Sequence, residues 1–281
     1  MMAAVRPGPL RPYLAIVSAR FRMLLQYRSA ALAGLFTQAF FGVTLIMIYE
    51  AFYRSSAASA QPMVFAQVVS YVWLAQALLA MLPWNADAEV RAMVRSGAVA
   101  YELCRPIDLY GLWYARAVAQ RTAPTMLRAA PMAVFAAIGL PLLGLGEWRL
   151  EPPASLAAGA GFAAALACAL ALACAISVLI NISLLWTVSG DGIVMLVATA
   201  VSLLSGLVVP LPMFPEWAQP ILRWLPFAGL ADLPFRIYNG HIAPGGLALA
   251  LAQQLGWTIA LIALGRRLLG RGLRRLVVQG G

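Results

Sequence analysis

The sequence predicts an all-α integral membrane protein of six transmembrane helices with both termini in the cytoplasm. Three observations predict it. Six apolar stretches, at 30–49, 64–82, 124–143, 155–180, 193–210 and 247–264, each approach the roughly 20 residues an apolar helix needs to cross a bilayer. The chain of 281 residues is 63% hydrophobic and 11% charged, with a mean hydropathy of +0.84, which does not suit a soluble domain. All twenty basic residues are arginine. When the segments between stretches are assigned alternately inside and outside, sixteen arginines fall inside: five before the first stretch, six from Arg91 to Arg128 and five from Arg266 to Arg275. Only Arg54, Arg149, Arg223 and Arg236 fall outside, and this bias orients the chain with its basic side in the cytoplasm.

Composition also excludes function classes. Without lysine the chain cannot contain a phosphate-binding loop of the G-x-x-x-x-G-K-[ST] type or a Schiff-base site, so any nucleotide that drives it is bound by another chain. His241 is the only histidine, which excludes a two-histidine metal site; no metal site, catalytic constellation or cofactor is expected in this chain. Cys168 and Cys174 read as small packing residues in the fourth span, and Cys104 lies in a cytoplasmic loop. The arginines sit at span ends, where they meet lipid headgroups, so no nucleic-acid role is expected. Apart from Asp191 at the inner edge of the fifth span, the spans read as free of ionisable residues, which weighs against a proton- or ion-coupled secondary transporter.

The chain reads as one transmembrane domain over 1–281. Residues 11–28 place Leu14, Val17, Phe21, Leu24 and Leu25 at helical spacing, with Arg20, Arg22 and Arg28 elsewhere on the wheel, as in a basic amphipathic helix lying in the inner interface. The first span carries Gln38, a polar interruption suited to bond a neighbouring helix. Between spans two and three, residues 83–123 form the longest cytoplasmic connection. There Asn85 or Asp87 is placed to cap a short helix, Gly97 to end it, Arg105-Pro106 to break the chain, and Asp108 to cap the helix leading to the third span.

Ala157, Gly161, Ala165, Ala169 and Ala173 form a small-residue stripe on the fourth span that permits close helix packing. A break over 181–192 follows, with Asp191 placed to cap the fifth helix. Five prolines from Pro210 to Pro226, with Trp217, Trp224 and Phe227, cannot form one continuous spanning helix. They read as short helices dipping into the outer interface, over about 211–240, and the length suggests a lid or gate.

Two stretches carry a resemblance to a known family. They are RSGAVAYELCRPIDLY at Arg95–Tyr110 and LSGLVVPLPMFPEWAQPILRWLPFAGLADLPFRIYNG at Leu204–Gly240. The chain resembles the permease subunits of ABC-2-type exporters, in particular the six-span group often encoded as two permeases with one ATPase.

The resemblance implies an amphipathic connector helix, a coupling helix in the 83–123 loop and outer re-entrant helices between spans five and six. It also implies a bacterial inner-membrane complex of this chain, a second identical or homologous permease and a cytoplasmic ABC ATPase holding ATP and magnesium. Carried over to this sequence, Glu89, Arg91, Arg95, Glu102, Arg105 and Asp108 are the expected ATPase contacts. Pro210, Phe214, Pro215, Trp217, Leu225, Pro226 and Phe227 are expected to shape the outer gate. The expected cargo is hydrophobic or amphipathic. The other readings are a membrane scaffold without a path and a secondary transporter without an ATPase.

Overall fold

The structure, a computed structural model, describes residues 10–55, 61–187 and 190–274. Arg6, Ser189 and Arg275 of the sequence reading lie outside them. Every regular element among the described residues is helical. Four helical stretches are long and apolar enough to cross a membrane. They are α2 (Arg28–Ser55), the stretch Leu109–Leu142, α8 (Leu156–Ser183) and α12 (Pro244–Leu273). Two further apolar helices are shorter: α3 (Phe65–Leu78), with a 3-10 turn to Met81, and α9 (Asp191–Leu204).

The apolar stretches thus all become helix, but with different ends. Leu109–Leu142 runs unbroken through two prolines as α6 (Leu109–Val134), a π turn and a last turn α7 (Leu140–Leu142). Pro124, read as a helix start, and Pro131 both lie inside it. A membrane helix tolerates such prolines when neighbouring helices and local π turns accommodate the lost backbone bonds, and a π turn at Phe135–Gly139 follows Pro131 here. At the other extreme α9 stops at Leu204, short of the expected Pro210, because Gly206 takes a left-handed conformation at φ 81°.

Helix α1 (Arg11–Leu24) is separated from α2 by a turn over Leu25–Tyr27 and packs along α6. Of the expected apolar face only Leu14 is exposed; Val17, Phe21, Leu24 and Leu25 are half-buried, as are Tyr13, Ile16 and Arg20. Tyr13 fits because Gly111 faces it: a Cβ there would come within 2.7 Å of the ring.

Helix α8 is the central element, packed by α12, α6 and α11 (Asp232–Tyr238). Its small residues do what their spacing suggests. Gly161, Ala165, Ala169 and Ala173 are buried, and a Cβ on Gly161 would meet Ile237 of α11 at 3.0 Å and Leu247 of α12 at 3.2 Å. Ala157, at the start of the stripe, is exposed.

Candidate functional site

Two polar assemblies stand out against this apolar body. The first surrounds α4 (Ala88–Ser96) and α5 (Val99–Leu103), between α3 and α6. Asp87 caps α4, its Oδ1 accepting from the backbone N–H of Glu89 and Val90, and Gly97 ends the helix at φ 73°. Asp108 caps α6 by accepting from Gly111 N–H at 2.8 Å. All three signals are as the sequence placed them.

Side chains of four other helices then hold α4 in place. Glu89 accepts from Arg20 of α1 and from Arg116 of α6, the latter at 2.6 Å. Arg20 also reaches Asp87 at 3.4 Å. Arg91 pairs with Asp191 of α9 at 2.6 Å. Asp191 is therefore an ion-pair partner in the first turn of α9 rather than its cap; Gly190, at φ 70°, holds the cap position without a side-chain bond. Asn181 of α8 accepts from Asp87 N–H, and Arg121 of α6 anchors the chain entering α4.

Arg121 is buried, and each of its nitrogens is satisfied by a neutral oxygen. It donates to the Leu82 carbonyl at 2.6 Å, to the carbonyl and side chain of Asn85 at 3.1 Å and to Ser177 of α8 at 3.1 Å. Its two backbone acceptors, Leu82 and Asn85, lie in the chain that leaves the 3-10 turn after α3.

The expected contact residues thus divide. Arg95 and Arg105 are exposed and make no ion pair with any described residue. Glu89 and Arg91 are bound to neighbouring helices. Asp108 lies near Arg266 at 3.4 Å. Glu102 is turned inward, only 4% exposed, where it accepts from Trp113 Nε1 at 2.9 Å and Arg116 at 2.8 Å. Its place in α5 puts it on the face packed against α6, so it organises the loop from within. The residues that sequence reasoning missed, Arg20, Arg116, Arg121 and Asn181, carry no local signal that separates them from ordinary inner-side charge or a helix-end amide.

The second assembly lies between α9 and α12. A 3-10 turn at Leu211–Met213, helix α10 (Gln219–Trp224), a 3-10 turn at Pro226–Gly229 and α11 replace a continuous helix, as the prolines require. Helix α12 grips this segment through donors aimed at its carbonyls. Gln253 donates to Arg223 O at 2.5 Å, Trp257 to Trp224 O at 2.8 Å and Gln254 to Gly229 O at 2.7 Å.

Of the expected gate residues, Pro210 is buried, Phe214 and Leu225 are half-buried, and Pro215 and Trp217 are exposed. Pro226 and Phe227 line an apolar cavity of about 210 Å³, bounded by Ile180 of α8, Val197 of α9 and Leu261 of α12. Behind the segment, Asp232 is buried, its backbone N–H donating to Ser205 O at 3.0 Å and its carboxylate facing Tyr71 and Arg236 at 3.4 and 3.5 Å. Burial pushes its carboxyl up to about 6, against the pull of Arg236 and Arg223.

Two expectations about the spans change. Gln38 is buried on α2, but neither end of its amide finds a partner among the described residues. The expectation of spans free of ionisable groups fails at Arg128, which lies within the apolar helical stretch Leu109–Leu142. Among the described residues, no group of three histidine, cysteine or carboxylate side chains is placed to hold a metal.

Comparison with known families gives one finding: a family model described as ABC-2 family transporter protein matches residues 34–280. No curated protein matches the chain.

Proposed function

The chain belongs to the ABC-2 family of transporter proteins and is a multi-pass membrane permease of that type; on this premise we propose that it is the permease subunit of an ATP-driven exporter. ATP and magnesium are bound by a separate cytoplasmic ATPase, and this chain performs no chemistry of its own. Two permeases, identical or homologous, pair around the path in the bacterial inner membrane. Each has six spans, α3 and α9 being the short ones, with both termini inside and its outer segment acting as the gate. The cargo is hydrophobic or amphipathic, in keeping with the apolar cavity behind Phe227.

The observation that carries this reading is the mounting of α4. It leaves Arg95 and Arg105 exposed, while Glu89, Arg91 and Asp87 bind it to α1, α6, α8 and α9. A short charged helix fixed to four membrane-side helices transmits a push as rigid-body motion, where a loosely held loop absorbs it. Arg95 and Arg105 are the points at which a partner's carboxylates engage it.

Detergent pull-down of the chain with its partners, followed by an ATPase assay, tests the proposal. Recovery of an ATP-binding subunit, lost on joint Arg95→Glu and Arg105→Glu substitution, supports it. A folded preparation that recovers no ATPase overturns it in favour of a scaffold or a secondary transporter.

A further inference from the structure

The apolar length of α6 carries two arginines, 121 and 128, two turns apart on one face, in opposite circumstances. Every nitrogen of Arg121 has a protein acceptor. Arg128 has none among the described residues: no ion pair reaches it, and its Nε is buried without a hydrogen bond.

Its position is nevertheless built. The guanidinium lies flat against α2 at Gly34, where a Cβ would come within 2.5 Å of Cζ and 2.7 Å of Nη2. Any other residue at 34 would displace it. One turn further along the same face of α2, Gln38 is 3% exposed with both amide atoms unpartnered. The fork of donors against Gly34 and the sealed amide of Gln38, one helical turn further on, are thus both without hydrogen-bond partners among the described residues.

Depth gives this arrangement its meaning. At 1.5 Å per residue, Arg128 lies about 10 Å beyond Arg121, and Gly34 about 9 Å beyond Arg28, within a hydrocarbon core of about 30 Å. An unpaired charge at that depth is costly, and such residues mark binding sites or paths. The Arg128 side chain is only half-buried, so its outer nitrogens remain within reach of a ligand.

We propose that Arg128 and Gln38 form a recognition point, between α2 and α6 in the inner half of the membrane, for the anionic group of an amphiphile: a carboxylate or phosphate on a hydrocarbon body. The guanidinium fork matches either group in bidentate fashion, and the Gln38 amide supplies a further donor. A neutral hydrophobe leaves the cation unpaired and is rejected on that ground. Only the assignment of the anion as cargo rests on the exporter reading.

The test measures binding of fluorescently labelled phosphatidylglycerol and the uncharged diacylglycerol, matched in their acyl chains, to the purified full chain in detergent. Wild type is expected to prefer phosphatidylglycerol by about tenfold or more, the worth of one charge-assisted hydrogen bond. Arg128→Gln erases the preference, Arg128→Lys keeps part of it and Gln38→Leu weakens it. Arg267→Gln, on the exposed surface of α12, leaves it unchanged. Should Arg128→Gln not fold, Gly34→Val displaces the same guanidinium and is expected to lose the preference. Equal binding of the two lipids by wild type, or a full preference retained by Arg128→Gln and Gly34→Val, overturns the proposal.

Reassembly with the ATPase then distinguishes the two sources of the anion. Phosphatidylglycerol that stimulates ATP hydrolysis and changes leaflet is cargo; if it stays bound without either, it is a resident lipid. Preference by the purified chain with no ATPase partner found leaves this site standing while the exporter reading fails.

Discussion

The side chain of Asn181 accepts a hydrogen bond of 2.9 Å from the backbone N–H of Asp87, joining positions 94 apart in sequence. Through it the capping residue of the short helix α4 is fastened to the central helix α8. Asn181→Leu leaves that buried N–H unsatisfied, at a cost of about 1–3 kcal/mol, so the melting temperature in detergent should fall by several degrees. ATPase stimulation by the permease should fall with it. Ser177→Ala, one turn away, leaves the buried Arg121 Nε without its acceptor and should cost a comparable amount, while Arg121 keeps its bonds to Leu82 and Asn85 and with them its hold on the chain entering α4. At matched stability, ATPase stimulation should therefore fall for Asn181→Leu and not for Ser177→Ala; equal losses of stimulation would contradict this division.

Arg91 and Asp191 join α4 to α9 through a pair that is partly exposed on both sides. Such pairs are worth only about 0–1 kcal/mol, so Arg91→Glu should barely change stability. It should reduce transport, because like charges then separate α4 from α9. Exchanging the charges, with Arg91→Asp and Asp191→Arg together, should restore transport beyond either single change. Transport per ATP hydrolysed is the quantity to follow.

Asp232 supplies a pH signature. Its folded pKa of about 6 lies above the ordinary carboxylate value of 3.8, so its contribution to stability is present below the lower value and is lost as pH rises through the higher one. The span between the two corresponds to at most about 3 kcal/mol. From pH 7.5 down to 5.5, wild type should therefore gain stability relative to Asp232→Asn. His241, whose pKa is lowered by burial and by Arg236 and Arg223, acts in the opposite sense, but it is common to both proteins and cancels in the difference. Melting curves for the two proteins that stay parallel across this range would refute the assignment.

Gly206 and Gly144 share a left-handed backbone, at φ 81° and 79°, but differ in surroundings. A Cβ on Gly206 would lie 2.5 Å from the Tyr71 hydroxyl and 3.3 Å from Asp232 Cβ, while one on Gly144 would meet nothing within 4 Å. Gly144→Ala should cost only the conformational penalty, about 1–2 kcal/mol. Gly206→Ala should cost more and should perturb the pH response of Asp232 as well. Thermal denaturation of both variants checks the order.

Features set by neighbours in sequence were readable in advance. The caps at Asp87 and Asp108, the stop at Gly97 and the proline-broken outer segment follow from local chemistry, and the structure has them where expected. Burial and pairing depend on which helices meet, and there the reading changes. Glu102 is directed inward because Trp113 and Arg116 await it on α6, and Arg20 turns inward because Glu89 lies opposite. Pro124 misled because proline is as acceptable within a membrane helix as at its first turn. Arg128 stood in the open, inside an apolar run, and its meaning emerged only from the absence of an acceptor around it.

Helix α9 has 14 residues and so rises about 21 Å, some two-thirds of a hydrocarbon core of about 30 Å. Beyond Leu204 the chain turns aside through Gly206 and Pro210 into short 3-10 turns. Read as a span, this helix is met by a thinned bilayer, as is α3 with its equal 14 residues. The self-energy of a charge depends on how far it travels out of water, so a polar headgroup passing along α9 faces a lower and narrower barrier than one passing along α2 or α12.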